Sequence, residues 1–360
     1  MIYLDYQATT PLAPEAREAM LRHLDGPEGT GFGNPHSPHK LGRQAAAAIE
    51  AAREKVASLF PSGGKVIFTG GATEALNLAI RGSGLGGAVA ASAIEHSAVL
   101  DTAESAGRCN RLQVDQNGLC QPDQVRPDDT RLIAVMQVNN EIGTVQPLEK
   151  WLAAARQLGV PLLVDAVQAY GKMPLVDADM MAISAHKFHG PKGVGALWVR
   201  DGVELREVQT GGGQEHGLRS GTLSPALIAG MGAAAALAEE RMEADAAHVE
   251  ALWSRARELF SDWTLNGSAN ERWHGNLNIR REGIDVARLM SECRNVMFSA
   301  GSACASGSGR PSHVLKAIGL SDAEAKSSIR LGFGRYTTVE QIEAAATSIN
   351  QAAKEQLQWG

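Results

Sequence analysis

Cysteine is scarce in this chain, with four residues in 360: Cys109, Cys120, Cys293 and Cys304. No two are spaced as C-x-x-C, so neither a zinc ribbon nor a thioredoxin-like pair is expected, and so few thiols make no disulfide scaffold. Long apolar runs are missing too, and none approaches the ~18 residues that would cross a bilayer. Positive charge is not in excess: 34 Lys and Arg stand against 40 Asp and Glu, a net charge of −6. That balance lacks the basic footprint of a nucleic-acid binder. The N-terminus, Met1-Ile-Tyr-Leu-Asp-Tyr6, has no basic stretch followed by an apolar one, so no secretory leader is expected and the cytoplasm is the expected compartment. What is present is globular, with 44% hydrophobic and 21% charged residues. A chain of this length buries roughly 75% of its unfolded surface and needs no staple. Glycine is abundant at 39 residues, mostly in short clusters, well above the usual ~7%.

Helix and strand patterns alternate through the first two-thirds. Apolar spacing predicts helices over 43–60, 74–81 and 148–158, and strands over 65–69, 88–94, 131–138, 160–164, 180–184 and 195–199. These strands read as continuous apolar runs, the pattern of a mainly parallel sheet covered on both faces by helices. A long alanine-rich helix is predicted from about 225 to 260, followed by shorter elements near 275–279, 286–293, 327–333 and 339–358. The change of character places a domain boundary near residue 242.

Four strand ends carry chemistry. Phe68-Thr-Gly-Gly-Ala-Thr73-Glu-Ala runs from a strand through glycines into a helix, where backbone N–H groups and a threonine hydroxyl attract phosphate. No lysine follows, so this is not a nucleotide P-loop. Gly82, Gly84 and Gly87 match G-x-G-x-x-G by letter but follow a helix and precede a strand, the reverse of the dinucleotide-binding order. One strand ends in Asp165, and another ends in Ser184-Ala-His186-Lys187, 22 residues beyond that aspartate (187 − 165). A single crossover would bring both to the carboxyl edge of a parallel sheet. A lysine and an aspartate in one crevice suit pyridoxal 5'-phosphate, the lysine bonding covalently to the cofactor and the aspartate holding its ring nitrogen protonated. Each residue alone also fits a plain turn. His96 follows another strand at the same edge, where an imidazole either stacks on a flat ring and moves protons or simply caps structure. His36, His39, His186 and His189 lack acidic or thiol partners at ligand spacing, so no metal site is expected. Cys304 sits among small residues between Gly301 and Gly307, the setting of an accessible thiol nucleophile rather than a packed one.

The chain resembles the cysteine desulfurases of the nitrogen-fixation and iron–sulfur-cluster type, class V aminotransferase-like enzymes of the fold-type-I pyridoxal-phosphate class. The resemblance rests on Leu4-Asp-Tyr-Gln-Ala-Thr-Thr-Pro11, Gly33-Asn-Pro-His-Ser37, Gly71-Ala-Thr-Glu74, Glu95-His96, Val138-Asn-Asn-Glu-Ile-Gly143, Val164-Asp-Ala-Val-Gln168, Ser184-Ala-His-Lys187, Arg219-Ser-Gly-Thr222, Gly301-Ser-Ala-Cys304 and Ser328-Ile-Arg330. It implies an α/β fold with a seven-stranded-type sheet sandwiched by helices. The implied organisation is an N-terminal segment 1–15 packing with the small domain, a large cofactor domain 16–242, and a small C-terminal α+β domain 243–360 carrying the cysteine loop. Lys187 would hold the cofactor covalently, Asp165 would pair with its ring nitrogen, and Gln168 would bond its ring hydroxyl with Asn140 alongside. His96 would stack and move protons, while Ala72, Thr73, Ser184 and His186 would bind the phosphate. Thr222 would reach the phosphate in a neighbouring subunit, which implies a homodimer. Arg330 would clamp the carboxylate of L-cysteine with help from Asn34. Cys304 would take the sulfur as a persulfide, leave L-alanine, and pass the sulfur to an acceptor or iron–sulfur scaffold protein. Selenocysteine lyases and aminotransferases of the same class are the alternative. His216, Ala300 and Gly309-Arg310 depart from the family's usual residues.

Overall fold

The computed structural model describes residues 1–84, 86–301 and 312–359. Along the first part run β1 (Ile2–Tyr3), α1 (Pro14–Leu21), α2 (Lys40–Ala57), β2 (Gly64–Thr69), α3 (Ala72–Gly82), β3 (Ala88–Ser92), α4 (Ser97–Ser105), β4 (Arg108–Leu112), β5 (Thr130–Ala134), α5 (Leu148–Leu158), β6 (Leu162–Asp165), β7 (Met180–Ser184) and β8 (Gly195–Arg200). After them come α6 (Pro225–Leu259), β9 (Thr264–Leu265), β10 (Asn276–Arg280), α7 (Val286–Glu292), β11 (Val296–Met297), β12 (Ser299–Ala300), α8 (His313–Ala317), α9 (Asp322–Lys326), β13 (Ser328–Gly332) and α10 (Val339–Trp359).

The apolar runs form a seven-stranded sheet in the order β2-β8-β7-β6-β5-β3-β4. Strand β8 is antiparallel to both of its neighbours, and every other pairing is parallel. The sheet is therefore mainly parallel, as its unbroken apolar strands predict. Two buried clusters cover its faces. One joins Val66, Ile133, Val164 and Ile183 to α1, α2, α5 and the start of α6, and the other joins Ile67, Val89, Leu132 and Leu163 to α3 and α4. A separate core around Leu252, Phe260, Ile279, Leu331 and Ile349 lies on the four-stranded antiparallel sheet β12-β13-β10-β9. Leu4 belongs to this second core, and β1 pairs with β11. The 35-residue α6 serves both: its burial runs to Ala238, lapses, and resumes at Val249.

Element ends differ from the sequence reading where capping is unusual. Helix α2 starts at Lys40 rather than 43 because the His39 ring, not an ordinary capping side chain, accepts the Gly42 N–H. Strand β5 closes at Ala134 rather than 138, yet Val135 and Gln137 still donate to Leu163 and Asp165, so the apolar run continues beside β6. Gly82, Gly84 and Gly87 form the turn from α3 into β3, with positive φ at the last two.

Candidate active site

The site lies at the carboxyl edge of β6 and β7, over a cavity of about 870 Å³. In the parallel pair β6–β7, Asp165 is level with Ala182, so the aspartate and the residues after Ser184 emerge side by side. Asp165, Lys187, His96, Asn140, Gln168, Ser184, His186, Ala72, Thr73 and Arg330 all line this one cavity. Two other expected residues do not: Asn34 is exposed and uses its side chain to accept its own turn's His36 N–H, and Thr222 is exposed on the surface. Cys304 lies outside the described residues. Its flanks do not: the Gly301 N–H donates to the Ser328 carbonyl at 2.7 Å, the Ser312 hydroxyl donates to Glu141, and the His313 ring pairs with the Glu95 carbonyl at 2.9 Å.

Asp165 is buried, and burial raises its carboxyl above the ordinary aspartate value. The Val167 N–H at 3.0 Å and the nearby His96 and Lys187 pull the other way. Such a carboxylate gains most from a cationic N–H placed in the cavity. Lys187 follows β7 in a single 3₁₀ turn, and its amine donates to the carbonyls of Gln7 at 2.5 Å and Ala8 at 2.9 Å. His96 caps α4 by accepting the Ala98 N–H at Nδ1, 3.0 Å away, which leaves Nε2 as the N–H of the neutral ring. Burial and three lysines, Lys187 first, push His186 down to about 4, so it works as a neutral partner of Thr9.

At the opposite end, the first turn of α3 opens on the cavity, and its N-cap Gly71 offers no side chain to its N–H groups. Glu74 stands in that turn, where a free carboxylate would repel an anion. It is held by the Gly70 N–H at 2.7 Å and ion-paired with Arg219 at 2.6 Å. A Cβ on Gly195 would fall 2.7 Å from Gly71 Cα and displace the loop.

Arg330 is fully buried and pairs with Asp5 at 2.7 Å. It also donates to the Asn140 carbonyl at 3.0 Å, while its Nε has no hydrogen-bond partner among the described residues. Asp5, Gln7 and Ala8 thus hold both the lysine and the arginine. Short-range patterns do not show that residues 5–8 lie beside residues 187 and 330, so this work of the Leu4–Pro11 motif is not legible in the sequence. Nor is a role for Glu95, whose fully buried carboxyl is raised well above the ordinary range and takes the Met136 N–H at 2.7 Å. The other cysteines are unpaired thiols raised by burial, Cys120 to about 12. Among the described residues, no group of three or more His, Cys, Asp or Glu is placed to hold a metal, and no helix is long and apolar enough to cross a membrane.

An amine, a buried carboxylate and an uncapped helix N-terminus around one cavity fit the aldehyde, ring nitrogen and phosphate of pyridoxal phosphate. With the sheet beneath them, they define the class of fold-type-I pyridoxal-phosphate enzymes. Residues 2–345 match the model of the aminotransferase class-V family. The chain is 41% identical to cysteine desulfurase IscS of Rickettsia rickettsii, over 97% of this chain and 90% of that one. It superposes on the crystal structure of a NifS-like protein from Rickettsia africae with a TM-score of 0.90 at 26% identity, covering 98% and 99% of the two chains. It also superposes on SspA in complex with cysteine, with a TM-score of 0.80 at 37% identity, covering 94% and 100%. The chain belongs to the class-V aminotransferase family and, within it, to the cysteine desulfurases.

Proposed function

We propose that the chain takes sulfur from L-cysteine, releasing L-alanine and leaving a persulfide on Cys304 that passes to an acceptor protein for iron–sulfur assembly or thiolation. The balance closes: the Cys304 thiol gains one sulfur atom, and cysteine minus that atom is alanine. The observation that carries this reading is the convergence of Lys187, Asp165 and the α3 N-terminus on one cavity in a chain of this family.

Pyridoxal phosphate, when bound, supplies an electron sink for the substrate carbon. Lys187 would hold it covalently and, once released, take and return a proton at its amine. Asp165 would hold the ring N–H, and Gln168 the ring hydroxyl. Ala72, Thr73, Ser184 and His186 would hold the phosphate. Arg330 would bind the substrate carboxylate with a planar fork that Asp5 and the Asn140 carbonyl already orient. His96 would cover the ring face and donate from Nε2. The anchoring of Gly301, Ser312 and His313 beside Glu95, Glu141 and Ser328 supports a thiol at 304 working over the same cavity. Exposed Thr222 fits a role toward a second copy, and a homodimer is part of the reading. So are the division at residues 15 and 242, which the two separate cores support, and a cytoplasmic setting, which the unpaired thiols suit.

The test is alanine and sulfide released from L-cysteine with a thiol reductant, wild type against Cys304→Ser. Equal amounts from the wild type and none from the variant are expected. A variant as active as wild type would remove Cys304 from the reaction.

A further inference from the structure

A second buried amine stands behind the first. Lys172 lies in the turn after Gln168 and takes part in none of the ion pairs among the described residues. Its Nζ donates to Gln168 Oε1 at 3.2 Å, Gln168 Nε2 donates to the Gln7 carbonyl at 3.0 Å, and that carbonyl also accepts from Lys187 Nζ at 2.5 Å. The two lysines are thus the ends of one short hydrogen-bonded relay. Lys172 also lines a small, mainly apolar cavity of about 40 Å³ with Gln7, Thr10 and His189, apart from the larger cavity.

We propose that Lys172 is a positioning residue for the lysine that holds the cofactor: it fixes the Gln168 amide from behind and, as a second buried cation, weakens the hold of Lys187 on its proton. The proposal rests on the reading of Lys187 given above. Two facts make it physical. An amide whose oxygen is taken by Lys172 must turn its nitrogen toward the Gln7 carbonyl, which leaves the second N–H of that nitrogen for a ligand. A lysine beside another cationic group is more readily a free amine, and so a better nucleophile and base.

The charged surroundings support the sign. Burial first, and Lys187 second, lower Lys172 to about 7. Facing this pair are Asp165 at the end of β6, His96 at the start of α4, and His186 and Lys192 near Lys187. His189, Arg335 and Asp245 lie on the Lys172 side, where Asp245 is taken by Arg335 at 2.7 Å. Asp165 is a carboxylate that acts on Lys187, and it would belong to the cofactor ring when the site is filled.

The test is competitive acetylation of the full chain stripped of cofactor. The labelling of Lys187 and Lys172 is followed against pH by peptide mass spectrometry, in wild type, Lys172→Met and Lys172→Arg. The expected result is a Lys187 midpoint about one pH unit higher in Lys172→Met, tenfold less reactive amine at a fixed pH below it, and near wild type in Lys172→Arg. In the wild type alone, Lys172 should label with a midpoint well below that of an ordinary lysine, an arm that needs no variant to fold. A Lys187 midpoint unmoved in folded Lys172→Met, an equal shift in Lys172→Arg, or an ordinary midpoint for Lys172 would overturn the proposal. Retention of pyridoxal phosphate by the wild type through gel filtration separates the two levels. No retention would sink the site reading beneath the proposal, whereas retention with unmoved midpoints would sink the proposal alone.

Discussion

Arg330 has no exposed surface, and among the described residues its one ion-pair partner is Asp5, whose side chain keeps 20% of its surface exposed, with the buried Glu141 acting on it without an ion pair. Removing that partner leaves a buried cation without its ion pair, so Asp5→Asn should cost ~3 kcal/mol in urea unfolding, the lower end of the range for a broken buried pair. A loss below ~0.5 kcal/mol, typical of a surface pair, would show that Asp5 does not hold the arginine. Arg330→Lys keeps the charge but loses the fork, and KM for L-cysteine should rise at least ~10-fold. Steady-state kinetics with an unchanged KM would mean the carboxylate binds elsewhere. His189 is held down to about 4, first by burial and next by Arg335. Its folded midpoint lies below the unfolded value of ~6.5, so the unfolded chain takes up the proton first. Stability is therefore lost as pH falls from about 6.5 through 4, by at most ~3 kcal/mol from this residue. Melting curves of His189→Gln over that window should be flatter than those of wild type, and parallel curves would contradict the assignment. Legibility at this scale was uneven. Lys187, Asp165 and His96 were readable because strand ends in a parallel sheet share an edge. Asp5, Gln7 and Glu95 were not, because their partners are distant in the chain or buried in a way no local pattern reports.

At the scale of elements, apolar periodicity located the long segments and missed the short or polar ones. Helix α5 and strand β7 fall where the spacing puts them. Strand β4, Arg108-Cys-Asn-Arg-Leu112, was missed because it is the sheet's edge and alternates exposed polar residues with few apolar ones. Helix α6 was legible in length, while its double allegiance shows only in packing. Its Gly232 meets α2 closely: a Cβ there would lie 2.8 Å from Ala52 Cα, which is backbone and cannot step aside. Gly232→Val should therefore destabilise the fold by ~1–3 kcal/mol in urea unfolding, the usual cost of overpacking. The helix-propensity gain of losing a glycine, under ~1 kcal/mol, works against this but is the smaller effect. A stabilised variant would mean α2 and α6 are free to separate.

At the scale of the molecule, residues 2–8 tie the two cores together. Strand β1 joins β11, Leu4 fills the second core, and Gln7 and Ala8 reach Lys187 on the large sheet. The cavity is closed partly by a segment more than 150 residues away in sequence, a relation no local reading shows. Exposed Thr222 belongs to this scale too. Light scattering should give a particle of twice the chain mass, and a monomer at micromolar concentration would contradict the homodimer. In the proposed function, Lys187 is the residue to which pyridoxal phosphate bonds. Reduction of the loaded protein with borohydride, followed by peptide mass mapping, is the test. A bleached yellow colour and the cofactor's mass fixed on Lys187 are expected; the same mass on Lys172, on Lys192 or on no lysine would contradict that assignment.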